Sequence, residues 1–227
     1  NLNSTYPATD SNADLEAAQR GDGFNNRWFL DPIYKGEYPA DMVDLFGDAV
    51  PDIQADDFAT IARPTDFLGV NYYMPSYVTD ASDNPLRIDS IEREGERTAM
   101  GWLVEPQGLR DLLVRLGDEY APPALYVTEN GAAYDDPRPI DGRVSDPQRR
   151  AYIHDHLLAA HEAIEAGSPL RGYFCWSVMD NFEWAEGYTK RFGITHVDYT
   201  TQERTIKESG RWYRDVTDAN AVVEVAG

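Results

Sequence analysis

The sequence is short of thiols, of basic charge and of long apolar runs, and each shortage excludes a class of protein. Cys175 is the one cysteine among 227 residues, so no intrachain disulfide can form and a disulfide-stapled scaffold is excluded. No stretch approaches the ~20 apolar residues that a membrane-spanning helix requires. Lys and Arg number 20 against 40 Asp and Glu, a net charge of -20. Such a chain repels nucleic acid and anionic lipid, so neither is expected as a partner, and the surplus acid reads as a solubilising surface. P-loop and dinucleotide glycine patterns are absent, and no cofactor is implied. The start, Asn1-Leu2-Asn3, has neither an initiating Met nor a basic or apolar leader, which leads us to expect further sequence before it. The single cysteine fits a cytoplasmic location, which is the expectation.

What is present is an alternation of strands and helices in one domain spanning residues 1–227. A helix is expected from Asp14 to Phe29, followed by a Pro-rich connection through Pro32, Pro39, Pro51 and Pro64. Asp66 to Tyr73 is a nearly continuous apolar run, as expected of a parallel strand covered on both faces, with Asn71 and Tyr73 on one face. Residues 80–99 read as a long surface loop. Leu109 to Leu116 reads as a helix, Ala124 to Val127 as a strand, and Gly172 to Trp176 as a final strand before a closing helix at Glu208 to Val216. Between the last two strands a helix is expected from a Ser145 cap to Gly167, with Ile153, Leu157, Ala160 and Ile164 forming its apolar stripe. His154, His156 and His161 on that helix form no metal site. A spacing of two puts side chains on opposite faces, and seven residues separate them by about 10.5 Å. They are expected at the surface or an interface.

Two segments carry chemistry. Thr128-Glu129-Asn130-Gly131 follows the apolar run Ala124-Leu125-Tyr126-Val127, so a tight turn delivers a carboxylate at the end of a buried strand, where barrel enzymes keep their reactive groups. An isolated Glu-Asn-Gly reads as a solvated turn; the apolar lead-in and the second segment reverse that. The second is Trp176-Ser177-Val178-Met179-Asp180-Asn181-Phe182-Glu183-Trp184, which combines the stacking and hydrogen-bonding groups that a pyranose sugar requires. Trp176, Trp184 and Phe192 offer flat faces, and Glu183 and Asn71 offer polar contacts. An aromatic cluster is more often core than site, but Asn181, Glu183, Glu186 and Lys190 interleave with these rings, and a dry corner would not hold so many charges unpaired. Glycoside cleavage with retention uses two carboxyl groups ~5–5.5 Å apart, one ionised to attack and one protonated to assist the leaving oxygen. Glu129 suits the ionised role. Tyr73 is a candidate donor to it, although a tyrosine here also reads as a buried ring bonded to backbone.

Over Asn1 to about Asp218 the chain closely resembles the retaining β-glucosidases of glycoside hydrolase family 1. The resemblance rests on Phe67-Leu68-Gly69-Val70-Asn71-Tyr72-Tyr73, on Tyr126 to Gly131, and on Trp176 to Tyr188 followed by Lys190-Arg191-Phe192-Gly193. It implies that Glu129 forms the covalent glycosyl intermediate, that Tyr73 hydrogen-bonds to it, and that Asn71, Trp176, Glu183, Trp184 and Phe192 line the glycone subsite. Trp102 resembles the aromatic residue that stacks on the aglycone. The implied substrate is a small β-glucoside or a cello-oligosaccharide, with no metal. The implied fold is α/β, the carboxy-terminal half of a (β/α)8 TIM barrel, from the end of strand 5 through strand 8.

The Asn-Glu-Pro segment that carries the acid/base glutamate in this family is absent from the sequence, and Glu37, Glu105 and Glu119 match no acid/base position. A closed barrel takes ~250 residues, so the expectation is one half of a split or nicked barrel, clasped by a complementary amino-terminal half that supplies the acid/base group. The rival expectation is a catalytically inactive sugar-binding or interaction fragment.

Overall fold

A computed structural model of the chain describes residues 1–54 and 56–223. In chain order the elements are β1 (Thr5–Pro7), α1 (Asn12–Asp22), α2 (Trp28–Tyr34), α3 (Ala40–Phe46), α4 (Asp57–Ile61), β2 (Leu68–Asn71), β3 (Ser76–Asp80), β4 (Ile88–Ser90), α5 (Pro106–Tyr120), β5 (Leu125–Asn130), α6 (Pro147–Glu165), β6 (Leu170–Cys175), β7 (Thr195–Val197), β8 (Arg204–Ile206) and α7 (Glu208–Ala219).

The sheet that positions the site is β2-β5-β6, parallel throughout. Parallel neighbours need a crossover long enough to return to the starting edge, and α5 and α6 supply it. α5 opens on Pro106, where the missing amide hydrogen is no loss, and stops at Ala121 in the left-handed conformation before Pro122-Pro123. Its Leu109, Leu112, Leu113 and Leu116 are at most 1% exposed and pack on Val70, Leu125 and Val127 of the sheet and on Ala160 and Ala163 of α6. Each such leucine contributes ~1.5–3 kcal/mol by leaving water. Strand alternation decides the rest: Leu125 and Val127 point into this core, while Tyr126 and Thr128 point to the opposite face.

That opposite face differs from expectation. The strands are covered on one side only: Phe67 is 54% and Phe174 58% exposed, and Thr128 is open to solvent. Phe67 meets Tyr126 edge-on at 5.4 Å. The concave side of the sheet is therefore an uncovered aromatic surface, with Leu2 hydrogen-bonded to Asn71 at one margin.

Other expectations shift locally. The first helix is broken: α1, capped by Ser11, passes through a wide π-helical turn at Gly23–Arg27 into α2. Residues 80–99 contain a strand, β4, antiparallel to β3. Ser145 does not cap α6; the cap position is Asp146, whose carboxylate is drawn instead to Arg149 and Ser209. The buried stripe of α6 is Arg149, Tyr152, Ile153, His156, Ala159, Ala160 and Ala163, whereas Ile164 is 48% exposed. His156 is thus a core residue, not a surface one. Its ring stacks on Tyr152 at 3.9 Å, and Nδ1 donates to the Tyr152 carbonyl at 2.7 Å.

Candidate active site

Glu129 reaches its position through a bulge inside the strand, not through a turn after it. Val70 is in register with Val127 but Asn71 with Glu129, so β5 carries one residue more than β2. Against β6 the same surplus appears, with Val127 opposite Tyr173 and Asn130 opposite Cys175. A bulge interrupts strict alternation and re-aims the side chain beside it. Strict alternation would turn Glu129 the way of Leu125 and Val127, into the helix-covered core. Instead it is half-buried at the strand end, and its Oε2 accepts the Tyr73 phenol at 2.6 Å. Burial first, then the bond to Glu129, pushes the Tyr73 phenol well up, so at neutral pH it is a donor and never a competing anion. Asn71 lies opposite Glu129 in the ladder, and its Oδ1 accepts from Thr128 Oγ1 at 2.7 Å.

The segment after β6 wraps over this pair. Gly131 lets it come close: a Cβ there would sit 1.8 Å from the Trp176 carbonyl oxygen, so no larger residue fits. Tyr73, Ala133 and Phe192 form a small buried cluster against which Trp102 and Trp176 pack. Ring centroids lie 5.2 Å apart for Tyr73 and Trp102, 5.9 Å for Trp102 and Phe192, and 6.3 Å for Tyr73 and Phe192. Lys190 Nζ donates to the Ala99 carbonyl at 2.7 Å, which ties the segment to the loop carrying Trp102. Glu183 faces the same region. Its carboxyl is pushed up, by burial first, and the negative charges of Glu129 and Glu186 add to the rise. Of the residues picked from sequence, Tyr73, Glu129, Asn71, Trp102, Trp176, Phe192 and Glu183 converge; Trp184, 83% exposed, presents its indole to solvent.

Beneath the segment lies a feature with no periodic signal in the sequence. Lys207 Nζ, wholly buried, bonds the carboxylates of Asp136 and Asp180 at 2.5 and 2.9 Å. Arg149 bonds Asp136 and Asp146, each at 2.7 Å. Asp180 also receives Arg191 and the backbone amides of Gly193 and Val197. Three cations thus neutralise three carboxylates, and the burial of each charge is offset by its neighbours. The cluster fixes the segment between Trp176 and Phe192 to the starts of α6 and α7. Two of the glutamates set aside above are engaged elsewhere: Glu105 accepts Tyr77, and Glu119 pairs with Arg115.

The family model described as "Glycosyl hydrolase family 1" matches residues 1–222. The chain is 45% identical over 217 residues to beta-glucosidase A of Thermotoga maritima, covering 95% of this chain and 49% of that one. It is 44% identical to a beta-glucosidase of Agrobacterium sp., covering 94% of this chain and 47% of the other. A solved family 1 β-glucosidase from Thermotoga maritima superposes with a TM-score of 0.93 at 44% identity, over 97% of this chain and 50% of its own. The Thermotoga maritima enzyme has also been solved with deoxynojirimycin, where the TM-score is again 0.93. The chain spans about half the length of the curated relatives it matches.

Proposed function

The chain belongs to glycosyl hydrolase family 1, and from that membership we propose that it is the carboxy-terminal half of a (β/α)8 β-glucosidase that cleaves small β-glucosides with retention. In this reading Glu129 attacks the anomeric carbon, the bond to the aglycone oxygen breaks, and a glycosyl-Glu129 ester forms that water then hydrolyses. The observation that carries it is the short Tyr73–Glu129 bond at the bulge, which fixes the orientation of the carboxylate that must attack. Trp176, Phe192, Glu183 and Asn71 then hold the glycone, Trp102 and the exposed Trp184 contribute walls of the cleft, and cello-oligosaccharides are within the substrate range. The acid/base glutamate comes from a complementary amino-terminal half seated on the bare concave face of β2-β5-β6. The Glu183 carboxylate would repel a phosphate on the glycone, so aryl β-glucoside is hydrolysed in preference to its 6-phosphate. No helix among the described residues is long and apolar enough to cross a membrane, and a cytoplasmic location belongs to the same reading.

The test is labelling of the chain, combined with its complementary half, by an activated 2-fluoroglucoside. The good leaving group removes most of the need for acid assistance, so a glycosyl mass gained on Glu129 supports the reading. One observation favours a second reading, an inactive sugar-binding fragment: no Asn-Glu-Pro glutamate exists in the sequence. Sugar binding without any label on Glu129 would establish that alternative.

A further inference from the structure

We propose that Asn130 is a positioning residue for the Glu129–Tyr73 pair, acting through Tyr152 and Tyr173. The inference rests on the reading of Glu129 as the attacking group. Asn130 follows Glu129 directly, beyond the bulge, and is fully buried. Its side chain touches every element that carries the pair. Nδ2 donates to the Tyr72 carbonyl at the end of β2, 2.8 Å away, and to the Tyr152 hydroxyl on α6, 3.1 Å away. Oδ1 accepts from the Tyr173 hydroxyl on β6. Its backbone carbonyl accepts the Trp176 amide at 2.9 Å.

The direction of each proton is fixed by one fact: the Tyr72 carbonyl can only accept, so the Asn130 amide nitrogen must face it. The Tyr173 hydroxyl then donates to Oδ1. The Tyr152 hydroxyl, having accepted from Nδ2, gives its own hydrogen to the Tyr73 carbonyl, 3.2 Å away. The result is a closed route from the residue after Glu129, through Tyr152, to the backbone of Tyr73, whose phenol returns to Glu129 Oε2. Burial pushes the phenols of Tyr152 and Tyr173 far up, which keeps both hydrogens in place at neutral pH. A bulge is a locally under-bonded stretch of sheet, and a side chain that saturates its bonds to both neighbouring strands and to α6 holds the bulge in a single form. Aspartate would fill the same space but lacks the two donors, so identity at 130 is set by hydrogens, not by size.

The experiment is a double-mutant cycle read by the rate of 2-fluoroglucoside labelling, on the chain combined with its complementary half. The proteins are the unsubstituted form, Tyr152→Phe, Tyr73→Phe and the double variant, with the melting temperature of each. Tyr152→Phe removes one hydroxyl and leaves the ring on His156. It is expected to slow labelling on the order of tenfold, because small misplacements of a reacting group are expensive in rate. In the Tyr73→Phe background its effect should shrink to less than about threefold, since both act on one bond. The inactivator concentration at half-maximal rate should stay unchanged. An equal loss in both backgrounds, or a loss that follows only the fall in melting temperature, would mean a structural role and overturn the proposal. Asn130→Asp, which keeps the size and removes both donors, is carried through the same cycle with the same expectations, and an equal loss in both backgrounds there overturns the proposal; if Tyr152→Phe does not fold, Tyr173→Phe replaces it. Label found away from residue 129 in the unsubstituted protein, or undiminished in Glu129→Ala, would instead sink the nucleophile assignment.

Discussion

The Tyr73 phenol and the Glu129 carboxylate meet at 2.6 Å across the ends of two neighbouring parallel strands, β2 and β5. A hydrogen bond to an ionised acceptor is worth ~1.5–3 kcal/mol. If the attacking group depends on it, Tyr73→Phe lowers kcat/KM by roughly 10–100-fold in the assembled protein. Steady-state hydrolysis of an aryl β-glucoside checks this, and a change of under about threefold would show that the bond does not carry over to the transition state.

Much of this pair was legible in the sequence, because the apolar runs before Tyr73 and Glu129 predict adjacent parallel strands ending at one edge. The bulge was not. Ala124-Leu125-Tyr126-Val127 reads as a continuous apolar run with no sign of a surplus residue, and an extra residue in a ladder appears only when the partner strands are known. The stripe of α6 was legible in part, since Ile153 and Ala160 are buried as expected, while Ile164 is not. The stripe also includes Arg149 and His156, which a polarity pattern assigns to the surface, although tertiary partners make both buried. The surroundings of Trp184 were not legible either: beside Glu183 its ring reads as part of a site, and in this chain the residue is 83% exposed.

Lys207 is the buried charge on which the segment above β6 depends. Burial pushes its ammonium down, and contact with Asp136 and Asp180 opposes that. Lys207→Met leaves two carboxylates in the interior without that cation, which destabilises by ~3–5 kcal/mol. Denaturant unfolding measures it. The exposed pair of Arg214 and Asp215 is the comparison, and Arg214→Met is expected to show no measurable change.

His156 gives the protein a pH dependence of known sign. Burial holds its imidazole down at about 4, against 6.5 for a free side chain. Between those values the unfolded chain takes up a proton that the folded chain refuses, so stability falls as pH drops through this window and levels off below it. The total is on the order of 3 kcal/mol. Melting temperatures from pH 7 to pH 4 should fall less steeply in His156→Gln, whatever the absolute stability of that variant. The buried carboxylates held low by cations, such as Asp22 and Asp180, lose their contribution only further into acid. His196, whose ring is also held down, leaves a residual slope.

Phe174 tests the complementary half directly. Its ring stands on the concave side of β6 with 58% of the residue exposed, and a partner closing the barrel would cover it along with Phe67. Removing the exposed part of a phenylalanine from water contributes ~1–2 kcal/mol, and a carboxylate placed there would have to be desolvated without a partner. Phe174→Asp is therefore expected to weaken assembly with the amino-terminal half at least about tenfold, with the helix-covered core of β2-β5-β6 unaffected. Phe174→Leu, still apolar, should stay within about threefold. Titration of each variant with the separately produced half, followed by size or by intrinsic fluorescence, distinguishes these outcomes. Unchanged binding by Phe174→Asp would mean that the partner sits on another face.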